Sequence, residues 1–252
     1  MDLAVIFSER KEYTADDPLK IRLDEGVHQI VGQYGRMIVT CSHITFVGQG
    51  KDQTTIRGGF KVNNQQNVKF EKLTITSSGN GLWLEGSQTN VGVLKCIVKE
   101  CGATGMWVSD GATVTATQCE FMENAGWGVL CQNANTKARL NDCKVHNNEN
   151  HGLVAYDRAV VDLHGTKTNI HSNKGFGIIA SRNAKVNIHL PSQHNTSHDN
   201  VEEDRFHSNG GSIANINAET VHSHTWYTRK LSCRSRSRRR SVRKNDDYIL
   251  KT

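Results

Sequence analysis

The sequence predicts an all-β fold, a right-handed parallel β-helix of about eight coils of 23–25 residues, and ladders sharing one period carry that prediction. A glycine followed by an alternating apolar run recurs at Gly81, Gly105, Gly128, Gly152 and Gly177, in steps of 24, 23, 24 and 25 residues. A second ladder, Val68, Val91, Val114, Ala138 and Val161, keeps the same period. A third, Leu73, Cys96, Cys119, Cys143 and Thr166, follows five residues behind it. A fixed period of this size marks a solenoid, in which each repeat buries its apolar face only against its neighbours. Within one repeat, Val114, Ala116, Cys119 and Phe121 are apolar, with Thr115, Thr117 and Glu120 between them. Such alternation, broken by Gly/Asn turns, gives short strands, about three per coil, stacked roughly 4.8 Å apart. A leucine-rich repeat of similar length requires a leucine-dense consensus, which is missing here.

The elements follow in order. Residues 1–19 form an N-terminal cap, with a short helix from Leu3 to Tyr13 that covers the open edge of the first coil. Residues 20–217 are the β-helix. The landmark glycine is expected near residue 201, and the comparable stretch begins only at Phe206, so an insertion of about ten residues is placed near 191–205. Residues 218–252 are a C-terminal cap segment and an Arg/Ser-rich tail. Residues 229–244 hold nine Arg/Lys and no acid; without them the chain has 22 basic against 25 acidic residues. The body is therefore mildly acidic, and the tail, centred on Arg234, Arg236, Arg238, Arg239 and Arg240, is disordered and basic. It suits nucleic acid or an acidic partner, or is a solvated extension without a role. The ladder cysteines point in parallel and read as reduced core thiols. The first ten residues lack a basic start and a long apolar region, so no signal peptide is seen and an intracellular protein, cytoplasmic or nuclear, is expected, without a membrane span.

The recurring elements Glu123-Asn124-Ala125-Gly126-Trp127-Gly128-Val129 and Ser172-Asn173-Lys174-Gly175-Phe176-Gly177-Ile178 resemble the right-handed β-helix repeats of the pectin-lyase-like superfamily. Within it they are closest to the carbohydrate-binding and sugar-hydrolase repeats shared with the F-box β-helix proteins. The resemblance spans about residues 20–217. It implies the fold and leaves function open, because the superfamily hosts lyases, hydrolases, epimerases and non-catalytic binders.

Two function classes follow. A β-helix lyase needs carboxylates holding Ca²⁺ beside the uronate and a basic residue; a hydrolase needs clustered acids. The one registered pair of carboxylates is Glu100 and Glu123, each four residues after its ladder cysteine and so one coil apart. These are the catalytic candidates, with solvated turn residues as the alternative. Ca²⁺ enters only with the lyase alternative, and no other cofactor is expected. Asp110 and Asp157 share a turn position with Asn133 and Arg182, which is turn chemistry. Asn124, Asn148 and Asn173 read as an asparagine ladder. No metal site is expected: six of the twelve histidines lie between residues 189 and 224, in a segment that reads as an irregular loop.

The second class is a non-catalytic recognition module for a glycan or protein ligand. Leu82, Met106, Val129, Leu153 and Ile178 face inward, as do Leu84, Val108, Cys131, Ala155 and Ala180. The residues between them, Trp83, Trp107, Leu130, Val154 and Ile179, must then face outward. Trp127, His151 and Phe176 flank that column. An apolar, aromatic stripe outside a sheet is a ligand or partner surface unless a terminus of the same chain covers it. The binding candidates are Trp83, Trp107, Trp127, His151, Phe176 and Leu130. The missing acid constellation favours this class over catalysis.

Overall fold

The computed structural model describes residues 13–31, 35–190, 196–217 and 247–250. They form eight coils of a right-handed parallel β-helix, each contributing one strand to each of three sheets, and two further strands, Ser212–Asn217 and Asp247–Leu250, extend the first sheet at its two ends. The first sheet runs from Leu19–Leu23 through Val68–Glu71 and Val160–His164 to Ser212–Asn217. The second begins at Gly26–Gln29 and ends at Ser197–His198; the third begins at Arg36–Val39 and ends at Arg205–Ser208. The predicted capping helix and the five tail arginines lie outside the described residues.

Registers follow the ladders. Val68, Val91, Val114, Ala138 and Val161 stand in line on the first sheet. Every inward position of the third sheet, from Leu82 and Leu84 to Ile178 and Ala180, is fully buried. In a solenoid each such side chain sits on its own equivalent one coil below, so like stacks on like and the core is continuous. Cys96, Cys101, Cys119, Cys131 and Cys143 are buried free thiols, and burial pushes the thiols of Cys101 and Cys131 up to about 12, which keeps them unreactive. In the N-terminal coils the core is aromatic instead: Phe46 stacks on Phe70 at 5.3 Å, and Phe60 closes the trio at 4.7 Å from Phe70.

The landmark glycines sit at the corner where the chain enters the third sheet. A Cβ on Gly128 would lie 2.3 Å from Val145 Cγ1 and 2.7 Å from Asn148 Nδ2, so the corner closes only without a side chain. Behind Gly105, Gly128, Gly152 and Gly177 runs the asparagine ladder, and Cys101 takes that place behind Gly81. Asn148 Oδ1 accepts from the Asn124 backbone N–H (3.1 Å) and from Asn124 Nδ2 (2.9 Å), and Asn148 stands in the same relation to Asn173. Asn200 extends the ladder by one coil and hands it to Asp204. The turn shared by Asp110, Asn133, Asp157 and Arg182 is left-handed at each of these residues.

Three sequence expectations need correction. The coil partner of Cys143 is Thr168, not Thr166, because the turn at Gly165–Lys167 is longer; Cys143 N–H donates to Thr168 Oγ1. The insertion near 191–205 is also much smaller than ten residues. Ile170 pairs with Ser197 and Ile178 with Arg205, each 27 residues on. The landmark glycine is replaced there by Asp204, whose carbonyl accepts from Ile178 N–H as the glycine carbonyls do elsewhere. Finally, not all of the tail lies off the solenoid: Asp247–Leu250 pairs in parallel with Leu19–Leu23. The open edge of the first coil is a template for any β-prone segment, and Tyr248-Ile249-Leu250 is one.

On the second sheet Glu120 bridges Lys51 (3.1 Å) and Lys144 (3.3 Å). Burial pushes its carboxyl up, but the two lysines outweigh burial and hold it below the usual carboxylate range. A depressed folded-state pKa contributes stability above the unfolded value that is lost as pH falls. Glu120→Gln should therefore cost no more than about 1 kcal/mol at pH 7, and its gap to the parent should close below about pH 4. Denaturant midpoints of both proteins across that range check this; a gap independent of pH would assign the effect to packing.

Candidate functional site

The outer face of the third sheet carries one central column: Ile38, Lys61, Trp83, Trp107, Leu130, Val154, Ile179 and Phe206. Strand alternation forces these side chains away from the core. Leu130 and Val154 are nevertheless only 4% and 7% exposed, because side chains on both flanks rise around them. The result is a groove of about 390 Å³ floored by Leu130, Val154 and Ile179. Trp127 and His151 wall one side, Gln132, Tyr156, Ser181 and Ser208 line the other, and Phe206, next in the column, closes the end.

Each wall is held in place. Phe176 N–H donates to His151 Nδ1 at 3.0 Å, which makes Nδ1 an acceptor and leaves the ring proton on Nε2. Burial pushes the His151 imidazole below its ordinary value, against the pull of Glu202, so the ring is neutral at pH 7. Phe176 lies against His151 (5.4 Å) and Phe206 (4.7 Å). Arg182 covers Tyr156 at 4.8 Å, and Ser181 and Ser208 share a hydrogen bond of 3.0 Å. The indole nitrogens of Trp83, Trp107 and Trp127 are all buried without a hydrogen-bond partner. An unpaired buried donor costs about 1–3 kcal/mol.

The sequence-predicted binding residues fall into two groups. Trp127, Leu130 and His151 line the groove, with Phe176 supporting it. Trp83 and Trp107 stand further along the same column, stacked at 5.2 Å and 2°. Lys61 Nζ lies 4.2 Å and the Arg36 guanidinium 4.9 Å from the Trp83 ring centroid, so cations and Trp107 occupy its faces. Of the termini that could cover the stripe, residues 1–19 and 218–232, residues 1–12 and 218–232 lie outside the described residues.

The family described as "Right handed beta helix region" matches residues 30–190. The chain belongs to that family. Among solved structures, this right-handed β-helix is similar to ORF18 of Geobacillus virus E2, at 13% identity and a TM-score of 0.51, over 85% of this chain and 57% of the viral one. The chain thus spans little more than half the length of that viral protein. It is also similar to the pectin methylesterase of Yersinia enterocolitica, at 14% identity and a TM-score of 0.43, over 86% of this chain and 94% of the esterase. The pectin methylesterase PemA of Erwinia chrysanthemi shows 10% identity and a TM-score of 0.43, over 85% and 87%. No curated protein matches the chain by sequence. At these identities the likeness is one of fold.

On this β-helix the two catalytic candidates occupy the same turn of successive coils. Glu100 and Glu123 both have left-handed backbone, with φ of 51° and 53°, and both are exposed. Lys99 Nζ lies 2.6 Å from Glu100 Oε1. Neither carboxylate lines the groove of the third sheet.

Two histidine columns stand on the outer faces of the sheets. His146, His171 and His198 stack outside the second sheet at 4.9 and 5.2 Å, and His164 and His189 stack outside the first at 4.1 Å. Their spacings of 25 and 27 residues are coil lengths, and that was the available signal. The irregular turn at Gly165–Lys167 and the masking of the last coil's period by Asp204 concealed it. No helix among the described residues is long and apolar enough to cross a membrane.

Proposed function

We propose that this β-helix is a non-catalytic recognition module that binds a glycan in the groove outside its third sheet. The observation that carries the reading is the groove's composition: an apolar floor, an aromatic wall and a rim of hydroxyl and amide groups, with no carboxylate in its lining. A sugar ring presents C–H groups on its faces and hydroxyls at its edge. The floor of Leu130, Val154 and Ile179 with the Trp127 ring suits the faces; the Gln132, Tyr156, Ser181 and Ser208 side chains suit the edge. Acid–base cleavage needs positioned carboxyl groups near the bound ring, and Glu100 and Glu123 lie at turns outside the groove lining.

The test is a panel of neutral and acidic oligosaccharides titrated against the full chain, with Trp127→Ala alongside. At least one glycan should bind, and Trp127→Ala should weaken it about tenfold or more, as loss of an aromatic anchor does. Trp83→Ala, removed from the groove, should weaken it less. Equal affinity of Trp127→Ala and parent would place the site elsewhere, and binding only of peptides would replace the glycan by a protein segment. Release of shorter sugars would turn the answer to the enzyme alternative, with Glu100→Gln and Glu123→Gln as the next variants.

A further inference from the structure

The outer face of the first sheet holds a second cluster. Asp162 and His164 are alternate residues of the strand Val160–His164 and therefore face the same way. His189 stands one coil further, on Lys185–Leu190, in the position that continues from the Leu163–Ile188 pair and so lies beside His164. Strand geometry thus brings three donors together: two from one strand at i and i+2, one from the next. Their ligand atoms all lie within 4.8 Å of one another. All three residues are partly exposed, so the cluster is reachable from solvent.

We infer that Asp162, His164 and His189 bind a divalent transition-metal ion of the Zn²⁺ class. Two imidazoles and one carboxylate are a donor set that suits Zn²⁺, Ni²⁺ and Cu²⁺ and is too nitrogen-rich for Ca²⁺ or Mg²⁺. Three protein ligands on an open sheet leave a further position for water or an outside ligand. The carboxylate is already oriented: Asn187 Nδ2 donates to Asp162 Oδ1 at 3.0 Å, a contact of the kind that positions metal-bound carboxylates. His189 Nε2 lies 2.9 Å from the same oxygen. The ion takes the place of the proton between these two atoms, and neutral His189 then carries its proton on Nδ1. Strand register sets the His164 ring against His189 at 4.1 Å, and Asp162 on the same face adds the carboxylate that the histidine stack of the second sheet lacks in the donor set. Two imidazoles and one carboxylate within reach of one another can share a cation. Arg139, the register partner of Asp162 one coil below, donates to Asn141 Oδ1 at 3.2 Å and forms no ion pair with Asp162.

The experiment is calorimetric titration of the full chain with Zn²⁺, together with the electron paramagnetic resonance spectrum of the Cu²⁺-loaded protein. The parent should bind one equivalent tightly, and Cu²⁺ should show coupling to two nitrogens. His164→Gln and His189→Gln should each weaken that equivalent by more than about 100-fold, beyond what changes outside the ligand set cost, and Asp162→Asn by at least about tenfold. All three side chains face outward, so circular dichroism should be unchanged. His207→Gln, an exposed histidine of the third sheet outside the cluster, should leave the affinity unaltered. Absence of a tight equivalent, an affinity indifferent to His164→Gln and His189→Gln, or coupling to a single nitrogen would each overturn the assignment.

Discussion

Asn148→Ala is expected to cost about 2–6 kcal/mol, although it removes only a small side chain. Asn148 is fully buried and its amide serves both neighbouring coils. Its Oδ1 satisfies the backbone N–H of Asn124 at 3.1 Å, and its Nδ2 serves Asn173 Oδ1 (2.9 Å) and the Phe121 carbonyl (3.2 Å). Truncation strands at least two buried polar groups, each at roughly 1–3 kcal/mol, because water cannot reach them. For a chain of this size a mid-range loss lowers Tm by roughly 10 °C. Asn150→Ala, two residues away and exposed, should stay within about 0.5 kcal/mol of the parent. Equal midpoints for the two variants would mean that the ladder is ornament on an independently stable corner.

That ladder was legible in the sequence, and so was the solenoid, for one physical reason. A parallel β-helix repeats each environment once per coil, so a residue type chosen at one position is chosen again some 24 residues later. Val68 to Val161 and Gly81 to Gly177 show this directly. What escaped were the places where the coil changes length or changes chemistry. The longer turn at Gly165–Lys167 moved the ladder residue from Thr166 to Thr168. Asp204 performs a glycine's backbone role without looking like one, and the last coil then appeared to contain a large insertion. Of the aromatic trio, Phe46 and Phe70 are register partners on the first sheet, one coil apart, and only Phe60 joins them from the third sheet, a contact that no ladder spacing announces.

The site was half legible. Alternation is enough to place Trp83, Trp107 and Leu130 on the outside of a sheet. It says nothing of what lies over them. Lys61 reaches Trp83 from the adjacent coil and Arg36 from the coil beyond it, while Trp127, His151 and Tyr156 rise around Leu130 and Val154. The stripe read from sequence is therefore one column with two fates, its ring faces occupied near the N-terminal coils and a groove further on. The Asp162, His164 and His189 cluster needs register between two strands at single-residue precision, which the length change at Gly165–Lys167 obscured.

Phe70→Ala should be as damaging as the loss of an asparagine rung, by an unrelated mechanism. Phe70 is fully buried, stacked on Phe46 at 5.3 Å and tilted against Phe60 at 4.7 Å. Truncating a core phenylalanine removes its transfer free energy and leaves a cavity, together about 3–5 kcal/mol, and the ring pairs contribute roughly 0.5–1.5 kcal/mol beyond area. Phe70→Leu, which fills most of the space, should recover the greater part of the loss. The double variant with Asn148→Ala decides how stability is distributed. Phe70 lies on the third coil and Asn148 beyond the second-sheet strand of the sixth, about 14 Å away along the stack. In a solenoid each coil touches only its neighbours, so the two costs should add within about 0.5 kcal/mol. Urea or guanidinium titrations of the four proteins in the cycle measure this. A coupling well above that limit would show that coils three apart share one packed unit, and a Phe70→Ala cost below about 1 kcal/mol would show that the trio is not close-packed.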